Sequence, residues 1–231
     1  MLAGLSPLAT AAAFASLALG GPLPTGAEPV TLDPADFTTR IDNPYWPMPA
    51  GRRWTYREGS QRVVVTVTRR TRVVAGITAR VVRDVVTDAR GRPVEVTDDW
   101  YAQDKAGNVW YLGEATREYE DGRPGTTKGS WEAGVDGAQA GVAMPAEPRP
   151  GLRYRQEYKA GEAEDAAQVL SLREQADVPA GHFDGLLLTK DFTPVEPRVL
   201  EYKLYARGVG PVLVLGVSGG GGREALVRLR R

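Results

Sequence analysis

"YAQDKAGNVWYLG", residues 101–113, has the form of a hairpin, two strand-like flanks around Lys105-Ala106-Gly107-Asn108. The chain writes a second version at 205–216, "YARGVGPVLVLG", with the same Tyr-Ala opening and the same Leu-Gly close. Both phrases sit inside a longer correspondence. Gly51 answers Gly151, Trp54 answers Tyr154, Gly76 answers Gly181, Asp84 answers Asp191, Tyr101 answers Tyr205 and Gly113 answers Gly216, in one order and at offsets of 100 to 107 residues. Landmarks spaced in this way mark an internal duplication, with loop insertions accounting for the drift.

Each copy reads as strands. "VVVTVT" (63–68) alternates Val63, Val65 and Val67 with a face carrying Thr66 and Thr68, a period of two in β-branched residues. "WTYRE", "ARVVRDVVT", "VEVTDDWYAQ" and "NVWYLGE" continue the series, divided by turn residues at Glu58-Gly59-Ser60, Ala89-Arg90-Gly91 and Glu120-Asp121-Gly122. Short turns make antiparallel neighbours. The expected fold is therefore all-β: an internally duplicated antiparallel meander forming one strongly curved sheet, half-barrel or barrel. Little helix is expected, at most a turn near "GEAEDAAQ" (161–168). The two meanders hide their apolar faces either by joining edge to edge or by packing as two sheets.

The expected organisation is a signal peptide or N-terminal anchor at 1–27, an extended lead-in at 28–43, a first repeat at 44–131, a Gly/Ala/Pro-rich crossing at 132–150 and a second repeat at 151–231. The crossing is either an ordered passage or a hinge; close packing through Trp54, Trp100 and Trp110 favours one compact domain. The first 27 residues carry no charge, and "LATAAAFASLAL" (8–19) has the length of a signal h-region rather than of a membrane span. Small-residue cleavage fits after Gly20 or after Ala27, and no Lys or Arg precedes the run, so cleaved signal and retained anchor both stay open. Export to the extracellular space or cell envelope is expected.

Composition excludes several chemistries. The chain has no cysteine, hence no disulfide, thiolate metal site or cysteine nucleophile, and one histidine, His182, which leaves a multi-histidine metal site without ligands. No metal site or cofactor is expected. The 29 basic and 29 acidic residues balance, so no global field draws the protein to nucleic acid or to an anionic membrane. Locally, nine Arg between 52 and 83 face thirteen acids between 84 and 147, which predicts cross-strand ion pairs rather than a nucleic-acid groove.

"DFTTRIDNPYWPM" (36–48), "DWYAQDKAGNVWYLGE" (99–114), "GSWEAGVDGAQAG" (129–141) and "YRQEYKAGEAED" (154–165) together resemble the phrases of a family of exported, functionally uncharacterised proteins from high-GC Gram-positive bacteria. That family implies export and no particular activity. More loosely, "YARGVGPVLVL" followed by a charged closing strand is similar to bacterial envelope proteins with a lipoprotein-type curved β-sheet, which implies a half-barrel and a greasy ligand.

Catalytic motifs are few. "GVSGG" (216–220) matches Gly-x-Ser-x-Gly, but no helix, Asp or His follows Ser218, so it reads as a turn. His182, Asp191 and Ser218 imitate a protease order without an oxyanion hole. Acids cluster at Glu132, Asp136, Glu157, Glu162, Glu164 and Asp165, a pattern open to paired-carboxylate catalysis or to solvated turns. A duplicated scaffold needs its fold residues in both copies, so features present once are the better functional candidates. By that criterion Trp131, Glu132 and Asp136 come first, joined by Glu157, Trp110 and Trp100. The preferred expectation is an exported binding or carrier protein for an apolar or amphipathic small molecule, with peripheral envelope association. The rivals are a carboxylate-dependent hydrolase of an extracellular or cell-wall polymer, and a structural module.

Overall fold

The computed structural model describes residues 21–219 and 222–230; the apolar run at 8–19 lies outside them. After a 3-10 turn at Pro34–Asp36 come β1 (Phe37–Thr38), β2 (Arg53–Glu58), β3 (Gln61–Val74), β4 (Ile77–Thr87), β5 (Pro93–Asp104), β6 (Val109–Glu120), β7 (Arg123–Pro124) and β8 (Trp131–Glu132). Then follow β9 (Gln139–Met144), β10 (Arg153–Arg155), β11 (Glu157–Tyr158), β12 (Ala166–Val178), β13 (Gly181–Phe192), β14 (Leu200–Ala206), β15 (Gly210–Ser218) and β16 (Arg223–Arg230). All sixteen belong to one antiparallel sheet, curved but not closed; thirteen follow the order β10-β12-β13-β14-β15-β16-β2-β3-β4-β5-β6-β9-β11, while β1 pairs with β5, and β7 and β8 pair with β6. Edge-to-edge joining is thus the arrangement adopted, with β16 pairing β2. Among the described residues no helix is long and apolar enough to cross a membrane.

The ladders bear out the duplication and correct one landmark. Trp54, Val65, Asp84 and Thr97 stand in a row across β2–β5, and Tyr154, Ala167, Asp191 and Glu201 stand in the matching row across β10, β12, β13 and β14. The entry turns agree to the hydrogen bond: Gly51 N donates to Val67 O at 2.8 Å and Gly151 N to Val169 O at 2.9 Å, with φ of 94° and 89°. Ala102 pairs with Trp110 while Ala206 pairs with Gly210, so the first hairpin is the longer and Trp110 answers Gly210. Gly113 therefore does not answer Gly216. It is glycine for another reason: a Cβ there would lie 2.4 Å from Trp131 O, so only glycine lets β8 cross so close.

The crossing between the copies is ordered, for it contributes β9, which pairs with both β6 and β11. The two ends of the sheet path, β10 and β11, flank the single residue Gln156, so the sheet curls until its ends meet at a seam. Gly141 in β9 makes that meeting possible, since a Cβ there would stand 2.3 Å from the Gln156 carbonyl. Arg155, 2 % exposed, ties the seam to the lead-in: its guanidinium donates to Ala140 O at 2.8 Å, to Glu28 O at 2.9 Å and to Gly26 O.

Alternation gives the sheet two apolar faces. The outer one, with Ile77 and Leu112, is covered by residues 29–32, and Phe37 packs edge-on against Trp110 with ring centroids 6.2 Å apart. The inner one encloses a cavity closed at one end by the "NPYWP" turn. Asn43 fixes that turn by accepting from Tyr45 N and donating to Gly107 O and Pro145 O, and Trp46 lies between Tyr101 and Tyr205, ring centroids 5.7 and 5.8 Å away. Tyr101 and Tyr205 are equivalent residues of the two copies, so a single aromatic from the lead-in plugs a pseudo-symmetric floor. Outside, the expected ion pairs form across strands, as Arg83 to Asp98 at 2.7 Å and Arg70 to the same carboxylate at 2.5 Å.

Candidate functional site

The cavity within the curve has a volume of about 550 Å³. Its floor is aromatic, with Trp46, Trp54, Tyr101 and Tyr205, while its walls carry Glu58, Asp84, Glu95, Asp99, Glu201 and Glu224 against one basic residue, Lys203. The strand period explains how these acids come to face inward together. Asp84 and Val82 share a face of β4, Asp99 and Tyr101 a face of β5, and Lys203 and Tyr205 a face of β14. A bulge in β6, where Asp99 pairs with Glu114 and Tyr101 with Tyr111, brings both Tyr111 and Glu114 to the inside.

The interior polar groups form two networks. In the first half the Tyr111 hydroxyl donates to Asp99 Oδ1 at 2.8 Å and Glu114 Oε2 at 2.5 Å, with its ring stacked on Tyr101 at 4.8 Å. One phenol proton thus serves two carboxyl groups. In the second half Lys203 Nζ stands 3.0 Å from Asp191 Oδ2, and Asp191 accepts further from the Thr189 hydroxyl at 2.5 Å and the Gln156 amide at 3.2 Å. At the seam both Gln156 N and Glu157 N donate to Asp165 O, a bulge that re-aims Glu157 so that its carboxyl accepts from the Trp131 indole at 2.7 Å.

Burial raises the affinity of these acids for protons, because a charged carboxylate loses its water. Asp84 is pushed up to about 6 by burial and then by the charge of Glu95. Glu224 reaches about 7 through burial and the facing charges of Asp84 and Glu58. Glu157 reaches about 8 through burial, Asp165 and Glu114, against the pull of the Trp131 hydrogen bond. Asp99 is held well above the ordinary carboxylate range by burial and Glu114. Burial lowers the affinity of Lys203 for its proton, but Asp191, Tyr205 and Glu201 more than offset it and hold the ammonium well above its usual range.

The six residues singled out from sequence do not form one site. Trp131, 4 % exposed, and Glu157 meet inside, and Trp131 packs edge-on against Tyr111 with centroids 5.3 Å apart. Glu132 turns outward to Arg72 at 2.5 Å, and Asp136 occupies an exposed turn with φ of 49°. Trp100 and Trp110 lie on the outer face, the former under the Arg72 guanidinium at 4.0 Å, the latter donating to Asp104 at 2.8 Å. Of the remaining acids, Glu162 pairs with Lys159 at 2.6 Å and Glu164 caps the Gly161 turn, both at the surface. Asp165 is drawn in beside Glu157. His182 is held between Asp177 and Asp184 at the surface, and the Ser218 hydroxyl donates to Arg198 O at 2.7 Å; neither approaches Asp191. Sequence reasoning missed Asp84, Asp99, Glu224 and Lys203. One signal was present, since Lys203 follows Asp99 at the same offset that links Tyr205 to Tyr101.

No family model matches the chain, and no curated protein matches it. A solved structure from Parabacteroides distasonis ATCC 8503, described as a "putative lipoprotein", is similar over 80 % of this chain and 98 % of its own, with 12 % identity and a TM-score of 0.43. A likeness this remote bears on no residue of the cavity.

Proposed function

We propose that this chain is an exported binding protein that shelters an amphipathic small molecule inside its curved sheet. The observation that carries the reading is the chamber itself. A cavity of about 550 Å³ falls within the range of small-molecule sites, and it joins an aromatic floor to a carboxylate-rich wall. An apolar body packs on Trp46, Trp54, Tyr101 and Tyr205, and a polar head reaches the acids. The uncharged N-terminal run supports export. Relative to a purely apolar ligand, the acids favour the amphipathic alternative, because burying hydrocarbon against them leaves carboxyl groups unsolvated. Of the acids first named for the hydrolase reading, Glu132, Asp136, Glu162 and Glu164 stand apart at separate places near the surface, and only Glu157 and Asp165 meet, at the seam; the rival reading rests on that one pair.

Native mass spectrometry of the secreted protein, followed by solvent extraction, tests the reading. A stoichiometric small-molecule adduct that is lost when Tyr101→Ala and Tyr205→Ala open the floor is the expected result. A bare polypeptide mass, together with unchanged tryptophan fluorescence on titration with octylammonium, octanol and octanoate, would overturn it.

A further inference from the structure

The two halves of the sheet carry the same two rungs with different charge. In the second half Asp191 lies opposite Glu201 and Thr189 opposite Lys203; in the first, Asp84 lies opposite Thr97 and Val82 opposite Asp99. Asp84 thus answers Asp191, and Asp99 answers Lys203. Asp191 has three partners, the Lys203 ammonium, the Thr189 hydroxyl and the Gln156 amide. The matching neighbours of Asp84 offer none. Val82 has no donor, the Tyr56 hydroxyl donates to Pro211 O at 3.1 Å instead, and Asp99 is a second acid. Asp84 Oδ1 is buried without a hydrogen-bond partner in the protein.

A second buried polar group inside the curve is in the same condition. Tyr154, equivalent to the cavity-lining Trp54 and 1 % exposed, carries a hydroxyl with no partner in the protein. Orphaned polar atoms of this kind are costly to bury, and of the two Asp84 lines the chamber, where a ligand can complete it, while Tyr154 does not.

We propose that the ammonium group of a small amphipathic amine seats between Asp84 and Asp99, taking in the first half the place that the Lys203 ammonium holds in the second. It rests on the chamber reading above and adds the sign of the ligand's charge. The amine's apolar body lies along Trp54, Tyr101 and Trp46, whose ring faces also attract a cation. An organic cation fits better than a metal ion: among the described residues no three His, Asp or Glu side chains are grouped as metal ligands. The protein itself thus supplies the template, with one ammonium built into the chain and the other brought by the ligand.

The test compares three probes with one body and different heads, octylammonium, octanol and octanoate, by isothermal titration at pH 8, with calcium chloride as a fourth titrant. Octylammonium is expected to bind at least tenfold more tightly than octanol, with octanoate and calcium weaker still. Asp84→Asn and Asp99→Asn each lose tenfold or more of the octylammonium affinity and leave octanol unchanged. Asp99→Lys supplies a built-in ammonium in both halves and abolishes the preference; Asp99→Asn, close in shape, carries the test if Asp99→Lys does not fold. Equal affinities for octylammonium and octanol would overturn the ammonium seat while leaving the chamber reading intact. Binding of none of the three octyl probes would overturn both, and tighter binding of calcium than of octylammonium would overturn the seat in favour of a metal.

Discussion

Raising the pH from 5 to 7 is expected to remove stability from this protein, and Glu224 sets the scale. Its carboxyl moves from an ordinary 4.5 in the unfolded chain to about 7 in the folded one, where it faces Asp84 on β4, Glu58 on β2, and Lys203 and Glu201 on β14. Between those two values the folded state holds a proton that the unfolded state has released. Stability therefore falls as pH rises through that window. At about 1.4 kcal/mol per pH unit per proton, Glu224 alone makes the fold less stable by about 2 kcal/mol at pH 7 than at pH 5. For a domain of this size that is a drop in Tm of about 4–8 °C. Asp84 and Glu157, raised to about 6 and about 8, act in the same sense, though ionising Asp84 lifts Glu224, so those two contributions do not add.

Circular-dichroism melts at pH 5, 6, 7 and 8 in fixed salt measure the effect. His182 titrates in the same window with the same sign, because its carboxylate neighbours Asp177 and Asp184 raise its pKa and that support is lost as pH rises. The melts are therefore run on His182→Gln as well. Glu224→Gln is expected to match the parent at pH 5 and to exceed it by several degrees at pH 8. Asp98 and Asp88, whose pKa values are lowered, lose their contributions only on the acid side of the carboxylate range and leave this window untouched. A Tm that is flat or rising from pH 5 to 8, or a Glu224→Gln variant with the parent's slope, would refute the burial of these acids.

Three further outcomes follow from the geometry. A chain beginning at Glu28 rather than Gly21 loses the Pro24 and Gly26 carbonyls that accept from Arg155, at an expected cost of about 3 kcal/mol by chemical denaturation. Lys203→Met leaves Asp191 buried without its cation and costs about 3–5 kcal/mol, most of it recovered in the double variant with Asp191→Asn; an uncoupled double-mutant cycle would contradict the pair. Gly141→Ala forces a methyl against the Gln156 carbonyl and is expected to cost about 3 kcal/mol in urea, with no loss expected if the seam is loose.

The duplication was legible because strand periods and turn residues are local, and their recurrence at a near-constant spacing needs no tertiary knowledge. Gly51 and Gly151 repeat because both entry turns require the left-handed backbone, and Asp84 and Asp191 because both sit on the same rung. What could not be read was parity. A strand that is half polar announces its wet face, but here both faces are buried in part: the outer one by residues 29–32 and Phe37, the inner one by its own curvature. Trp100 and Trp110 therefore looked as eligible for the interior as Tyr101, and only the ladder shows that Tyr101 and Asp99 share the inward face.

The rule that once-only residues mark function can be read in aromatics or in charges, and the two readings point to different residues. The aromatics differ between the copies for local reasons: Trp110 packs against Phe37 of the lead-in, whereas its equivalent Gly210, with φ of 106°, lies against Trp46 and Trp54 where a Cβ would be only 3.2 Å from the Trp46 ring. The informative difference was a change of charge. Swapping Lys203 for Asp99 at equivalent rungs turns a self-neutralised pair into two adjacent acids, and a fold gains nothing by this. Two buried carboxylates with no cation among their protein neighbours cost stability at neutral pH, which the expected pH dependence of Tm measures. A scaffold that holds the compensating lysine in one half and omits it in the other leaves its paired acids two ways to shed the cost of burial, a proton at low pH or, on the proposal above, the ammonium of a ligand at neutral pH.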